Sequence, residues 1–252
     1  MPPSQVPATP GLLARLRYYA TFVVAAICFI VLGIPLIPLA IILRALFGVT
    51  DLIYPFGKFG ARCYLMTAGA RVRAFGYENI SPDKPYVFVS NHQSNLDPPL
   101  IIAYIRRNPG WIAKQELFKI PIMGQGIRLV NAIPIDRRNR EAAIASTKKG
   151  ADVVRSGRSV VAFPEGTRTV DGQLKEFKKG VFFMAIEAGV PVVPIVLNDT
   201  RLVMRKGTKY CIPHEVTMEI LPPISTEGMT ENDVDKLIAK VFAEYVPRVN
   251  FG

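Results

Sequence analysis

The feature that most constrains the fold is an uncharged apolar stretch from Tyr18 to Leu43, near the start of the 252-residue chain. Arg15, Arg17 and Arg44 border it, and its length slightly exceeds the roughly 20 residues that one membrane-spanning helix needs. The segment Gly33-Ile34-Pro35-Leu36-Ile37-Pro38 interrupts it near its middle, because proline lacks the N–H donor of a regular helix. We therefore predict two short apolar helices that form a hairpin, dip into one leaflet and anchor the protein.

A cleaved signal peptide is the alternative interpretation of this stretch. Against it, the apolar stretch is long and no clean small-x-small cleavage site follows. Lys58 and Arg62 continue the basic flank, which favours a hairpin that returns to the cytoplasmic face. We expect residues 1–50 to comprise a Pro-rich disordered start and the anchor, and residues 51–252 to form one globular domain.

The charge balance limits the partners of the chain. It carries 31 Lys and Arg against 20 Asp and Glu, a net charge of +11, which favours anionic lipids, nucleic acid or phosphorylated small molecules. The membrane segment already brings basic clusters such as 137–140 and 148–149 to an anionic lipid surface. We therefore predict no nucleic-acid partner. Three distant cysteines and two histidines without an HExxH pattern predict a reducing compartment and no metal site.

Beyond the anchor, short apolar runs typical of strands alternate with segments of helical spacing. The predicted strands are 71–75, 86–89, 111–113, 131–135, 159–163, 190–197 and 215–221, and the predicted helices are 56–67, 98–107, a short one from 121, 139–156, 180–188 and 230–245. This alternation predicts an α/β fold with a mostly parallel sheet flanked by helices on both faces. Polar residues follow several strands, so we expect the functional site along the carboxyl ends of the sheet.

One polar segment, Ser90–Asp97, follows a predicted strand directly. It places His92 just after the strand and Asp97 at the start of the next helix. An imidazole beside a carboxylate makes a general base with its orienting partner. The alternative is that Asp97 only caps the helix and that His92 is a partly buried structural residue.

Five segments together resemble the successive motifs of the glycerolipid acyltransferases in order and in spacing. They are NHQSNLD at 91–97, Lys114-x-Glu116-Leu117 with Pro121 and Gly124, Ile135-Asp136-Arg137, FPEGTR at 163–168 and VPVVPI at 190–195. The resemblance covers about residues 85–200, and the hydrophobic N-terminal hairpin is also typical of that family.

The resemblance implies transfer of a fatty acyl group from acyl-CoA or acyl-carrier protein to the sn-2 hydroxyl of 1-acylglycerol-3-phosphate, giving phosphatidate. His92 is then the general base and Asp97 its orienting partner. The resemblance also implies that the loop Glu165, Gly166, Thr167 and Arg168 binds the glycerol phosphate. Lys114 and Arg137 are further candidates for the phosphate or for the oxyanion. We expect an inner-membrane enzyme that faces the cytoplasm and uses the acyl thioester as co-substrate, without a separate cofactor.

Several alternatives stay open at this point. In one alternative, the acceptor is another lysolipid, such as lyso-ornithine lipid or a lysophospholipid with a larger headgroup. In another, the chain is a non-catalytic lipid-binding protein of the same fold. The presence of both His92 and Asp97 argues against the last. Glu165 and Arg168 could form a structural ion pair, and Lys114 and Arg137 could be solvated residues at strand ends.

Overall fold

The computed structural model of the chain describes residues 10–135 and 140–250. The strands are β1 Ala70–Phe75, β2 Val87–Ser90, β3 Gly110–Lys114, β4 Ile133–Ile135, β5 Val160–Ala162, β6 Val192–Asn198 and β7 His214–Ile220. The α-helices are α1 Leu12–Cys28, α2 Ile34–Phe47, α3 Tyr54–Ala68, α4 Asp97–Tyr104, α5 Met123–Leu129, α6 Arg140–Arg155, α7 Gly180–Ala188, α8 Thr200–Val203 and α9 Val234–Tyr245. The predicted alternation of strands and helices is therefore confirmed.

The strands form a seven-stranded sheet in the order β1-β7-β6-β2-β5-β3-β4. From β6 to β4 all neighbours run parallel, whereas β7 pairs antiparallel with β6 and parallel with β1. The prediction of a mostly parallel sheet is confirmed. At one side of the sheet, β7 and β1 run in the direction opposite to the other five strands.

Helices cover both faces of the sheet, as predicted. Successive residues of a strand point to opposite faces, and β2 shows the consequence: Val87 and Val89 pack in one apolar core, and Phe88 packs in the other. The first core includes residues of α6, α7 and α9, and the second includes residues of α3 and α4. The central strands are thus buried on both sides, which gives the loops at their ends a rigid base.

Local signals place several helix ends correctly. Thr230 and Asp233 form the predicted capping box before α9. Gly157 and Gly189, which follow α6 and α7, have positive φ values of 92° and 66°. The cationic end predicted for the helix at 98–107 is wrong, because α4 ends at Tyr104 and Arg107 instead donates to the carbonyl groups of nearby loop residues.

The predicted hairpin in the apolar stretch is wrong. α1 continues through a π-helical turn, Phe29–Gly33, into α2, and the backbone on both sides of the turn stays in the right-handed helical region. Pro35 lies in the first turn of α2 and Pro38 lies inside it. A π-helical turn adds a residue to the helix and shifts its hydrogen-bond pattern just before Pro35, which lacks an N–H donor, so the helix continues and the chain does not reverse.

The resulting 36-residue helix, Leu12–Phe47, is long and apolar enough to cross a membrane, and only 11% of its most apolar window is buried. One side of it nevertheless packs on the domain. In α1, Thr21 is fully buried and Phe22 meets the ring of Tyr64 in α3. In α2, Ile37 packs with Leu129 of α5. We call this element the anchor helix.

Candidate functional site

The candidate site lies where three neighbouring parallel strands end. β6, β2 and β5 are adjacent in the sheet, so their carboxyl ends meet at one edge. The chain leaves β2 into the loop that carries His92, leaves β5 into the loop that carries Glu165, and leaves β6 just before Thr200. Loops at this edge of a parallel sheet converge on one cleft.

The imidazole of His92 lies against the carboxylate of Asp97, with 2.7 Å between Nδ1 and Oδ2. The Asp97 side chain is fully buried, whereas 17% of the His92 side chain is exposed. Because an ionised carboxylate only accepts hydrogen bonds, we assign the shared proton to Nδ1. Nε2 then carries a lone pair and has no protein partner among the described residues. The ring stacks on Phe163, with 4.2 Å between the centroids.

Asp97 is not a helix cap. It is the first residue of α4, and the described helix start has no side-chain cap. Its Oδ2 instead accepts from the N–H groups of Gln93 at 2.6 Å and Ser94 at 2.7 Å. The two prolines that follow Asp97 offer no N–H donors to a capping carboxylate. The capping alternative is therefore wrong, and the carboxylate is bound to the loop that carries His92.

The buried Glu165 carboxylate forms a hydrogen bond with the backbone of His92. It is 4% exposed, and its Oε1 accepts from the His92 N–H at 2.7 Å. Its Oε2 accepts from the N–H of Lys175 at 3.3 Å, while the N–H of Thr169 donates to the His92 carbonyl at 2.9 Å. Both backbone groups of His92 are thus fixed. In the described part of the chain Glu165 makes no ion pair with Arg168, so that structural alternative is wrong.

Burial raises the pKa of Glu165 from its ordinary value of 4.5 to about 7. The nearby negative charge of Asp97 adds to the rise, and the two backbone N–H groups and the charge of Lys175 oppose it. This carboxyl group therefore titrates near neutral pH.

The rest of the predicted phosphate-binding loop lies at the surface of the cleft. Gly166 has a φ of 72°, a conformation that favours glycine, and the Lys178 side chain packs over it. Thr167 is exposed and accepts from the Nζ of Lys175 at 3.1 Å. Arg168 is half-buried, and its guanidinium has no hydrogen-bond acceptor among the described residues. Its charge acts on the nearby hydroxyl of Tyr64.

The two further candidates from the sequence are less informative. Lys114 ends β3, is 55% exposed at its side chain and pairs with Glu116 at 3.2 Å. No described contact joins it to His92. Arg137 lies outside the described residues, so its predicted role stays a prediction.

Three residues of the site were given no individual role by the sequence, although two of them lie in the family-like motifs. Phe163 lies at the end of a predicted strand, and its ring stacks on His92 only because the fold brings the two loops together. Asn91 is buried and exchanges two hydrogen bonds of 2.8 Å with the backbone of Leu197, which ties the loop to β6. Thr200 donates to Asp97. The last two contacts span more than a hundred residues, so no local pattern in the sequence signals them.

An apolar cavity of about 430 Å³ borders the site. It lies between the anchor helix, α3 and the loop that carries His92, and its walls include Cys28, Leu36, Phe56, Tyr64, Asn95 and Pro99. Burial raises the pKa of Tyr64 to about 12, so its hydroxyl stays neutral at physiological pH. The arrangement offers an apolar chamber whose wall includes the segment between His92 and Asp97.

The chain matches a family model described as Acyltransferase over residues 71–198, about half of its length. It is 37% identical over 164 residues to a 1-acyl-sn-glycerol-3-phosphate acyltransferase of Limnanthes douglasii, covering 65% of this chain and 58% of the relative. It is 36% identical over 175 residues to the alpha enzyme of that name from Mus musculus, covering 69% and 61%. The chain thus spans about three fifths of the length of these relatives.

A solved structure is similar over most of both chains. It is the crystal structure of the 1-acyl-sn-glycerophosphate acyltransferase PlsC from Thermotoga maritima, with a TM-score of 0.71 and 26% identity. The superposition covers 92% of this chain and 95% of that one.

Proposed function

The chain belongs to the acyltransferase family, and from that premise we propose that it transfers a fatty acyl group from an acyl thioester to the sn-2 hydroxyl of 1-acylglycerol-3-phosphate. The product is phosphatidate. The names of the similar proteins support this acceptor. The observation that carries the proposal is the pairing of a partly exposed His92 with a buried Asp97 at the carboxyl edge of the central strands.

In the proposed reaction Nε2 of His92 takes the proton of the acceptor hydroxyl as its oxygen attacks the thioester carbonyl. Asp97 keeps the proton on Nδ1 and stabilises the imidazolium that forms. When the tetrahedral intermediate collapses, the carbon–sulfur bond breaks and the imidazolium returns the proton to the leaving thiolate. The products are an ester and a free thiol, and no covalent acyl-enzyme is needed.

The acceptor phosphate is assigned to Arg168 and its loop. A guanidinium with no protein acceptor in the described chain is suited to bind a phosphate through two parallel hydrogen bonds. Gly166 lets the Lys178 side chain approach the backbone closely, so a second cation lies beside this loop. The apolar cavity beside the loop that carries His92 is suited to a fatty acyl chain, because burial of methylene groups there is favourable. Lys114 and Arg137 remain candidates for the phosphate or for the oxyanion.

The anchor helix is assigned to a membrane surface, since most of its apolar side chains are exposed. We place the domain on the cytoplasmic face of the inner membrane, where acyl-CoA and acyl-carrier protein are available. Either carrier satisfies the proposed chemistry, which needs only the thioester.

The first prediction tests this function with purified protein. We expect acyl transfer to 1-acylglycerol-3-phosphate to exceed transfer to lyso-ornithine lipid or to lysophospholipids with larger headgroups, with acyl-CoA and acyl-carrier protein tested side by side. His92→Ala should reduce kcat by about 10²- to 10⁴-fold, as expected for loss of a general base. His214→Ala is the matched control, because His214 is the other histidine of the chain and starts β7, which lies outside the site.

Three outcomes would each overturn part of the proposal. A faster reaction with another lysolipid would reassign the acceptor. Wild-type activity of His92→Ala would remove the general base, and absence of transfer to every acceptor by the folded wild type would favour a lipid-binding protein.

A further inference from the structure

The Asp97 carboxylate receives one contact from far along the chain. Three partners lie close in sequence and all meet Oδ2: the ring of His92 and the N–H groups of Gln93 and Ser94. The other oxygen, Oδ1, lies 2.6 Å from the hydroxyl of Thr200, which is 103 residues away. Asp97 and Thr200 are both fully buried. Because a carboxylate only accepts hydrogen bonds, the hydroxyl donates.

We propose that Thr200 is a positioning residue that acts on His92 through Asp97, an inference that rests on the proposed function. With Oδ2 held by the loop and Oδ1 held by Thr200, the carboxylate cannot rotate, and Oδ2 stays directed at Nδ1 of His92. Without the hydroxyl, Oδ1 would be a buried charged oxygen that lacks a donor, which is costly. The carboxylate would then turn to find another partner, and the imidazole would lose its fixed orientation.

The turn before Thr200 is held in an uncommon backbone conformation. Asp199 has a φ of 65° and a ψ of 5°, in the left-handed region that few residues other than glycine adopt. The C-terminal segment stabilises this turn. Asn250 donates from its side chain to Asp199 at 3.1 Å and from its backbone to Asn198 at 2.8 Å. Asn198 in turn donates to the carbonyl of Arg248 at 2.9 Å.

The other end of α8 is fastened to the loop that carries His92. The hydroxyl of Ser94 donates to the carbonyl of Met204 at 2.7 Å, and Ser94 pairs with Arg205 in an isolated antiparallel bridge. Neither contact involves the Thr200 side chain. Removing its hydroxyl alone therefore leaves the position of α8 fixed from both ends, which separates the orientation of Asp97 from the folding of this region.

The test compares two substitutions at this position. Thr200→Val keeps the branched shape and removes the hydroxyl, and Thr200→Ser keeps the hydroxyl. We expect the kcat of the valine variant to fall about 10- to 100-fold with both KM values nearly unchanged, because Thr200 contacts neither substrate in the proposed mechanism. The serine variant should keep most of the wild-type kcat. Thr200→Ala gives the same loss of hydroxyl should the valine variant not fold.

The outcomes separate this inference from the function on which it rests. A folded Thr200→Val or Thr200→Ala enzyme with kcat within about two-fold of wild type would overturn the positioning role. So would a serine variant as slow as the valine variant. If His92→Ala is inactive while Thr200→Val is fully active, only the positioning role fails. An active His92→Ala would instead overturn the general-base mechanism, and absence of transfer by the folded wild type would overturn the proposed function itself.

Discussion

Among single residues, Glu165 links the pH of the medium to the stability of the site. Its pKa is raised by burial from 4.5 to about 7. A carboxyl group whose pKa is higher in the folded state favours folding when it is protonated. Its contribution is therefore fully present below about pH 4.5 and is lost as the pH rises through about 7. Over that window the free energy of unfolding should fall by about 3 kcal/mol relative to a chain without this carboxyl group.

Denaturant unfolding of Glu165→Gln across this window checks the prediction. The amide cannot titrate, and its oxygen can still accept from the N–H of His92. The wild type should lose stability relative to the variant as the pH rises from about 4.5 to about 7. Glu244→Gln is the control, because the Glu244 side chain on α9 is partly exposed and pairs with Arg248 just after that helix. Parallel stability curves for wild type and Glu165→Gln would contradict the raised pKa.

Arg168 carries the prediction for the acceptor. Arg168→Ala should raise the KM for phosphate-bearing acceptors, with a loss of about 2 to 4 kcal/mol in transition-state binding if two hydrogen bonds are removed. Arg168→Lys should restore little, because an ammonium group cannot reproduce the planar fork. Kinetics with acceptors that carry or lack a phosphate measure the difference. Arg155→Ala is the control, since the Arg155 guanidinium already forms ion pairs with Asp152 and Glu187. Equal losses on both acceptor types would give Arg168 a structural role.

The sequence could predict contacts between site residues only where the two residues lie close together in the chain. His92 and Asp97 lie five positions apart across a strand-to-helix corner, so their contact followed from the predicted elements. The role of Glu165 behind His92 did not follow, because it depends on the packing of two loops 73 residues apart. Thr200 could not be identified at all, since a threonine after a strand is common and its hydroxyl meets Asp97 only in the folded chain.

Among the elements, those bounded by clear physical signals were predicted well. α7 begins at Gly180 and ends before Gly189, as its apolar spacing and C-terminal glycine indicate. The central strands β2, β5 and β6 are runs of β-branched and apolar residues buried on both faces, which is the pattern of a parallel sheet.

Two features of the elements were beyond the sequence pattern. Proline in an apolar stretch predicts an interruption, but it does not distinguish a reversal from a π-helical turn that lets the helix continue. The direction of β7 was also not predicted. Its alternating burial is the same whether it runs parallel or antiparallel to β6, so pairing within the fold sets its direction.

In the whole molecule, the anchor helix and the domain form one packed unit. At about 1.5 Å per residue a helix of 36 residues measures about 54 Å, well beyond the roughly 30 Å hydrocarbon core of a bilayer. Both halves of it pack on the domain, α1 on α3 and α2 on α5. A perpendicular span would carry the polar surface of the domain into the hydrocarbon, so the proposed attachment lies along the interface, where the net charge of +11 favours anionic lipid.

Deleting the anchor helix would test attachment poorly, because it would also expose Tyr64 and other residues that α1 covers. Replacing three exposed residues on one side, Val23→Gln, Ile27→Gln and Val31→Gln, leaves the packed side intact. The triple variant should keep the wild-type melting temperature yet no longer sediment with anionic vesicles, because the apolar area that enters the interface is lost. Its activity on a long-chain acceptor in vesicles should fall, while its activity on a water-soluble short-chain acceptor should persist, since the cleft is unchanged.

The matched control for that variant is Val246→Gln, an exposed apolar residue just after α9. It should sediment with vesicles as the wild type does.

Raising the salt concentration separates two contributions to vesicle binding, charge attraction and burial of apolar side chains. Charge attraction is screened over about 10 Å at 0.1 M salt, whereas burial of apolar side chains is not. A wild type that stays bound in high salt, beside a triple variant that is released in low salt, would assign attachment to the apolar side of the anchor helix. A triple variant that stays in the membrane fraction after a salt wash would place the attachment elsewhere on the molecule.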